Sequence, residues 1–234
     1  MPATPYRSAL IVGAGPGLGA SLARAFTRDA GLRVVVAARQ RDKLDAIAQH
    51  TGAAAMSCDS TDAAAVAELF DRAAQHLGGP PEVVVSIASR RVRGPFIEVD
   101  AAAVAEAVAV TALGAFHVAQ QAARRMVPLG RGAILFTGAS AGVKGYPQSA
   151  AFAMGKFALR GLAQSLAREL APQGIHVGHI VVDGSIRPSD GAADDINDDR
   201  LDPDAIAATY VHLLSQPRSA WTWEIEVRPW VEHF

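Results

Sequence analysis

The chain has 234 residues, half of them apolar, enough for one sizeable domain with its own core. Its 22 basic and 23 acidic side chains nearly cancel, and neither sign forms a long block. That leaves no electrostatic footprint for nucleic acid or an anionic membrane and favours a small neutral or anionic ligand as partner. The single cysteine, Cys58, excludes an internal disulfide, and the start "MPATPYRSALIVG" lacks the charged and apolar regions of a signal peptide, so a reducing cytoplasm is the expected setting.

Short β-branched runs alternate with longer helical ones along the whole chain. Strands are predicted at 8–13, 33–38, 53–58, 82–87, 132–137, 176–182 and 224–228, with helices at about 17–29, 41–50, 61–76, 103–126, 149–171 and 203–215. The alternation predicts parallel strands joined by crossover helices. The near absence of polar alternation within the strands predicts a sheet covered on both faces. The expected fold is therefore α/β: a Rossmann-like, doubly wound parallel β-sheet of about seven strands in a three-layer α/β/α sandwich, a single domain over 1–234.

The most apolar long segment, residues 101–123, is rich in alanine and carries Glu106, His117 and glutamines, which reads as an internal or subunit-contact helix rather than a membrane span. Residues 188–204, rich in Asp, Gly and Pro, read as a surface loop, part of a small lid region near 186–204.

The first strand runs into "VGAGPGLGAS". Glycines after a strand and before a helix allow a tight turn and close approach of a pyrophosphate, whose charge meets the amides at the helix start. Gly13, Gly15, Pro16, Gly17, Leu18 and Gly19 are thus cofactor-binding candidates. The second strand ends in Ala37, Ala38 and Arg39, with no carboxylate to bind a free ribose 2′-hydroxyl; Arg39 suits a 2′-phosphate, so NADP(H) is favoured over NAD(H). The plainer alternative is that Arg39 and Arg41 are solvated charges at a helix start.

With these motifs in place, the chain resembles the short-chain dehydrogenase/reductases over nearly its whole length. Gly13, Gly17 and Gly19 match the Gly-x-x-x-Gly-x-Gly pattern of that family. "CDST" falls where the family contacts adenine, which implies roles for Asp59 and Ser60, and "SIAS" (86–89) stands where the family usually has Asn-Asn-Ala-Gly, with only Ala88 matching. "DGSI" stands at the family's Pro-Gly segment, so the backbone of Gly184 and Ile186 is implied at the nicotinamide carboxamide.

The resemblance also implies an Asn-Ser-Tyr-Lys catalytic group, and here it departs from this sequence. With Lys156 as the lysine, Phe152 occupies the tyrosine position, Ala139 the serine position with Ser140 next to it, and Thr111 the asparagine position. Phe152 and Lys156 are four apart and share a helix face. A phenyl ring can pack against a nicotinamide but exchanges no proton. General acid catalysis is typically worth about 10² to 10⁴ in rate, or roughly 3 to 5 kcal/mol of barrier. A subset of the family carries phenylalanine there, and this chain looks like a member of it.

Lys156 retains the family's second role, a hydrogen bond to the nicotinamide ribose. Ser140, Lys144, Tyr146 and Ser149 are substitute proton donors by position, with Tyr146 readable either as a catalytic hydroxyl or as a substrate-loop aromatic. Asp183 either faces the ligand or caps a turn. His176 and His179, three apart on a strand, point to opposite faces, and no metal site is expected. Trp221, Trp223 and Trp230 either seal the core edge or form subunit contacts in a homodimer or homotetramer.

The reading that follows is an NADP(H)-dependent oxidoreductase with a non-standard active site, acting on a carbonyl, alcohol or activated double bond. A catalytically inactive dinucleotide-binding protein, a sensor or partner subunit, is the alternative. Non-redox chemistry on the same fold is a third reading that the intact glycine loop disfavours.

Overall fold

The computed structural model describes residues 4–188 and 199–232. Seven strands, β1 (Ser8–Val12), β2 (Arg33–Ala38), β3 (Ala54–Ser57), β4 (Val83–Ser86), β5 (Gly132–Thr137), β6 (Ile175–Val182) and β7 (Glu224–Val227), form one sheet in the order β3-β2-β1-β4-β5-β6-β7, every neighbouring pair parallel. Each strand lies within a residue or so of its predicted span, because uninterrupted apolar runs of this length bounded by Gly, Pro or Asp leave little choice. Strand order reverses between β1 and β4, and the crevice outside the carboxyl ends of those strands is where ligands bind in sheets of this kind.

The helices are α1 (Leu18–Arg28), α2 (Asp42–Thr51), α3 (Ala63–Leu77), α4 (Ala101–Val108), α5 (Gly114–Met126), α6 (Ala150–Leu170) and α7 (Pro203–Leu214). Sequence signals set several of their ends. Asp62, Asp100 and Asp202 accept backbone N–H bonds at the starts of α3, α4 and α7, and Pro203 opens α7. Gly52 and Gly78 close α2 and α3 in the left-handed conformation.

One core packs Ile11, Val36, Val85 and Ile180 of the sheet against Leu22, Phe26, Leu44 and Tyr210 of α1, α2 and α7. The other packs Leu10, Val84, Ile134 and Phe136 against Phe70, Val118 and Leu159 of α3, α5 and α6. Two cores on two faces of one parallel sheet make the three-layer sandwich.

The predicted helix at 103–126 is interrupted: Ala109–Leu113 forms a π-turn between α4 and α5. The run 101–129 is long and apolar enough by composition to cross a membrane. Its Ala107, Val110, Val118, Ala122 and Met126 are nevertheless buried within the fold. The tryptophans divide: Trp221 stacks on His176 at a centroid separation of 4.8 Å, whereas Trp230 is exposed. Residues 189–198 of the expected lid lie outside the described residues; before them, Ile186 bridges to Leu201.

Candidate functional site

Two adjoining cavities open at the carboxyl edge of the sheet. The larger, about 710 Å³, runs from the glycine loop to the start of α6, and the smaller, about 560 Å³, lies beyond the end of β2. Both include Gly13 and Ser89 in their walls.

The glycines of the first loop serve two different needs. Gly13 has φ of +90°, and a Cβ there would lie 2.3 Å from the Ala88 nitrogen; one on Gly19 would lie 2.8 Å from the Ala14 Cα. Those two are required by the protein's own packing. A Cβ on Gly15 or Gly17 would meet no protein atom within 4 Å, although both line the larger cavity. Here the missing side chains leave room for a ligand against the backbone at the amino end of α1, which fits a pyrophosphate. Leu18 lines the same cavity, whereas Pro16 is exposed and lines neither cavity.

The smaller cavity brings together Arg39, Asp59, Ser60 and Ala88. Asp59 Oδ1 accepts from the Thr61 amide at 2.9 Å and the Thr61 hydroxyl at 2.8 Å, and the amide bond above all holds its carboxyl below the usual range. Lys43 of α2 is a second cation in this wall that sequence reading passed over. Its signal was available: Arg39 and Lys43 are four apart across a strand-to-helix turn.

At the far end of the larger cavity, Lys156 is 3 % exposed, and its Nζ donates to the Thr137 carbonyl at 2.7 Å. Burial alone pushes its pKa down to about 8. Phe152 lies one turn earlier on α6, with the Lys156 Nζ 5.7 Å from the ring centroid. Ser140, Tyr146 and Ser149 line this cavity, as do Asp183, Gly184 and Ile186. Lys144 reaches back over the Tyr146 ring at 5.6 Å and stands 4.0 Å from the buried Asp183 carboxylate. Its pKa is raised, first by a hydrogen bond with Tyr146.

Thr111 is absent from the cavity wall. It is buried in the π-turn, and its hydroxyl accepts from the Arg90 amide at 3.2 Å, bracing the loop after β4. His176 and His179 do lie on opposite faces, bonded to the Thr222 carbonyl and the Glu224 carboxylate respectively.

Three features carried no sequence signal. Arg91 and Arg93, from the loop after β4, join the cavity wall, Arg91 beside Phe152. Glu232, from the chain's final segment, joins it too. Behind Lys156, Arg160 makes two 2.7 Å bonds to Glu224, which accepts from His179 Nδ1 at 2.9 Å, and the buried His179 Nε2 has no hydrogen-bond partner among the described residues. Burial pushes the His179 pKa down against the opposing pull of Glu224, while the Arg160 bond holds Glu224 below its ordinary range.

A glycine cradle at a helix start, a cation-lined pocket at the end of β2 and a buried lysine at the inner end of the cavity define a nucleotide-binding α/β protein. The short chain dehydrogenase family model matches residues 7–192, and the chain belongs to that family. It is 32% identical over 185 residues to the 3-oxoacyl-[acyl-carrier-protein] reductase MabA of Mycobacterium avium, spanning 79% of this chain and 69% of that one. A crystal structure of a short-chain dehydrogenase from Rhodopseudomonas palustris superposes with a TM-score of 0.81 at 32% identity, covering 96% of this chain and 100% of the other. A metagenomic short-chain oxidoreductase in complex with NADP superposes with a TM-score of 0.82 at 28% identity, covering 95% and 97%. These three are a reductase, a dehydrogenase and an oxidoreductase, and a nicotinamide dinucleotide is the cofactor that the likeness supports.

Proposed function

We propose that the protein is an NADP(H)-dependent oxidoreductase with a non-standard active site, in which Phe152 stands where the family has its tyrosine. The observation that carries this reading is the buried Lys156 at the inner end of a cavity that begins at the glycine loop. A bound dinucleotide supplies or accepts the hydride. Gly15 and Gly17 give its pyrophosphate room, and Arg39 with Lys43 supports a 2′-phosphate and hence NADP(H) over NAD(H). One Lys156 donor is committed to Thr137, leaving two for ribose hydroxyls.

Phe152 shields that lysine and offers a flat apolar wall, but transfers no proton. The proton comes from a hydroxyl in the same wall, Tyr146, Ser140 or Ser149, or from water. A substrate whose carbonyl, alcohol or activated double bond needs little acid assistance fits best. The same missing proton donor favours a second reading, a dinucleotide-binding sensor or partner subunit with no turnover.

The protein is further proposed to be a single-domain cytoplasmic homodimer or homotetramer. Leu113 and Phe116 of the α4–α5 run, together with Met154 and Phe157 of α6, are each between 41 and 56 % exposed, an apolar surface suited to a second copy. Light scattering of the purified protein tests this, and a monomer at micromolar concentration refutes it.

The deciding experiment titrates the protein with NADPH and NADH by fluorescence and then follows NADPH oxidation over a carbonyl panel, with Phe152→Tyr alongside. Tighter binding of NADPH, and turnover that rises by about 100-fold or more in Phe152→Tyr, support the enzyme reading. NADPH binding without turnover in wild type selects the sensor reading. Binding of neither nucleotide overturns both.

A further inference from the structure

The loop after β4 contains three arginines in four positions, and they meet different fates. Arg90 Nη1 lies 3.1 Å from Glu106, and the Arg90 amide is tied to Thr111. Arg91 and Arg93 line the large cavity, and neither is ion-paired with a carboxylate among the described residues. Both are exposed, so water solvates them in the free protein, and the same wall also carries the Asp183 and Glu232 carboxylates; two guanidinium groups with no carboxylate partner nevertheless offer an entering anion charge-assisted hydrogen bonds.

The loop is also held against the turn that leads into α6. Gly94 donates to the Gln148 carbonyl at 3.1 Å, and Gln148 takes the left-handed backbone conformation, φ 58°. The Arg91 Cζ lies 5.5 Å from the Phe152 ring centroid, beside the ring already approached by Lys156. Attraction of a guanidinium to a ring biases its position while leaving its N–H donors available to a ligand.

An anion here can be a cofactor phosphate or a substrate group, and the rest of the site decides between them. The glycine loop and the α1 amides serve the pyrophosphate, and Arg39 with Lys43 serves the ribose phosphate. Arg91 lies instead over Phe152, at the substrate end. On the oxidoreductase reading given above, we propose that the substrate is a carboxylate-bearing carbonyl or alcohol. Arg91 grips its carboxylate as a fork beside Phe152, and Arg93 adds a second positive charge.

The test uses the NADPH-loaded protein and a panel of short 2-oxo, 3-oxo and 4-oxo carboxylates, each paired with its methyl ester, with binding read by calorimetry. Charge-assisted fork bonds predict that the preferred carboxylate binds at least about tenfold more tightly than its ester. Arg91→Gln and Arg93→Gln remove that preference and leave NADPH affinity unchanged. Equal binding of acids and esters across the panel, or a preference that survives both substitutions, overturns the proposal. So does a loss of NADPH affinity in the variants, which assigns the arginines to cofactor phosphate. Repeating the titration without nucleotide separates the two readings: a carboxylate preference in a protein that binds no NADPH upholds the arginine site and removes the oxidoreductase.

Discussion

Replacing Lys156 with methionine isolates one titration in the molecule. The folded state holds this ammonium at 3 % exposure, and burial lowers its pKa from 10.5 to about 8. Well below pH 8 both folded and unfolded chains carry the proton, and stability does not change with pH through this group. Between the two values the unfolded chain binds more protons, so stability rises with pH until both states are neutral. At 1.36 kcal/mol per unit, the full rise is roughly 3 kcal/mol, and about 2.5 kcal/mol of it falls between pH 7 and 10. Lys156→Met keeps the length of the side chain and loses the charge. At pH 7 relief of the buried charge is offset by the unpaired Thr137 carbonyl, which costs about 1–3 kcal/mol, so the two proteins start close together. The buried Cys58, its pKa raised to about 11, and Tyr6, raised to about 12, titrate in both proteins and cancel in the comparison. Urea unfolding of the nucleotide-free proteins at pH 7, 8, 9 and 10 measures the difference. Wild type gains about 2–3 kcal/mol relative to the variant over that range. Parallel stability curves refute the argument and mean that the ammonium is solvated in the folded protein.

The glycine loop predicts a split between two substitutions. Gly15→Ala leaves urea stability within about 0.5 kcal/mol of wild type while weakening NADPH binding, whereas Gly13→Ala, which meets Ala88 at 2.3 Å from a positive-φ backbone, lowers stability measurably. Gly138→Ala drives a Cβ to 2.3 Å from His179 Nε2 and 3.0 Å from the Ile180 carbonyl; a loss of about 1–3 kcal/mol is expected by urea unfolding. Arg39→Ala combined with Lys43→Ala reduces the ratio of NADPH to NADH affinity, and an unchanged ratio contradicts the assignment of that pocket. The depressed pKa values of Glu224 and His179 both mean that the unfolded chain binds more protons as pH falls, first at His179 below its ordinary 6.5 and then at Glu224 below 4.5. Glu224→Gln therefore flattens the acid limb of the stability profile, and an unaltered limb in the variant counts against the coupling.

The parts of this fold that were legible in the sequence are those whose cause is local. Apolar strands bounded by turn residues marked β1 to β7, and the Phe152–Lys156 pair was readable because four residues are one helical turn. The π-turn at Ala109–Leu113 was not: an alanine-rich run satisfies α and π geometry alike, and the packing that distinguishes them comes from elsewhere, with Gly155 of α6 so close that a Cβ there would lie 3.0 Å from the Thr111 Cβ. Pro16 shows the limit of a motif: it is exposed between Gly15 and Gly17, which line the cavity while it does not, and membership of the motif does not say which residues face a ligand.

The unread part of the site has a common character: its partners are distant in the chain. Arg91 reaches a ring 61 positions along, and Arg160 and His179 converge on Glu224, 64 and 45 positions along. Only the sheet order, which seats β7 beside β6 and β4 beside β5, brings these groups together. Along α6 the result is a column in which Phe152, Lys156 and Arg160 follow at successive turns. The ring faces the cavity, the ammonium is buried at its inner end, and the guanidinium is locked to a carboxylate on the edge strand. Arg160 thereby anchors the middle of the helix to β7, while Lys156 ties the turn before it to the end of β5. Phe152 inherits a position fixed from below, and that rigidity is what lets a side chain with no ionisable group define one wall of the cavity.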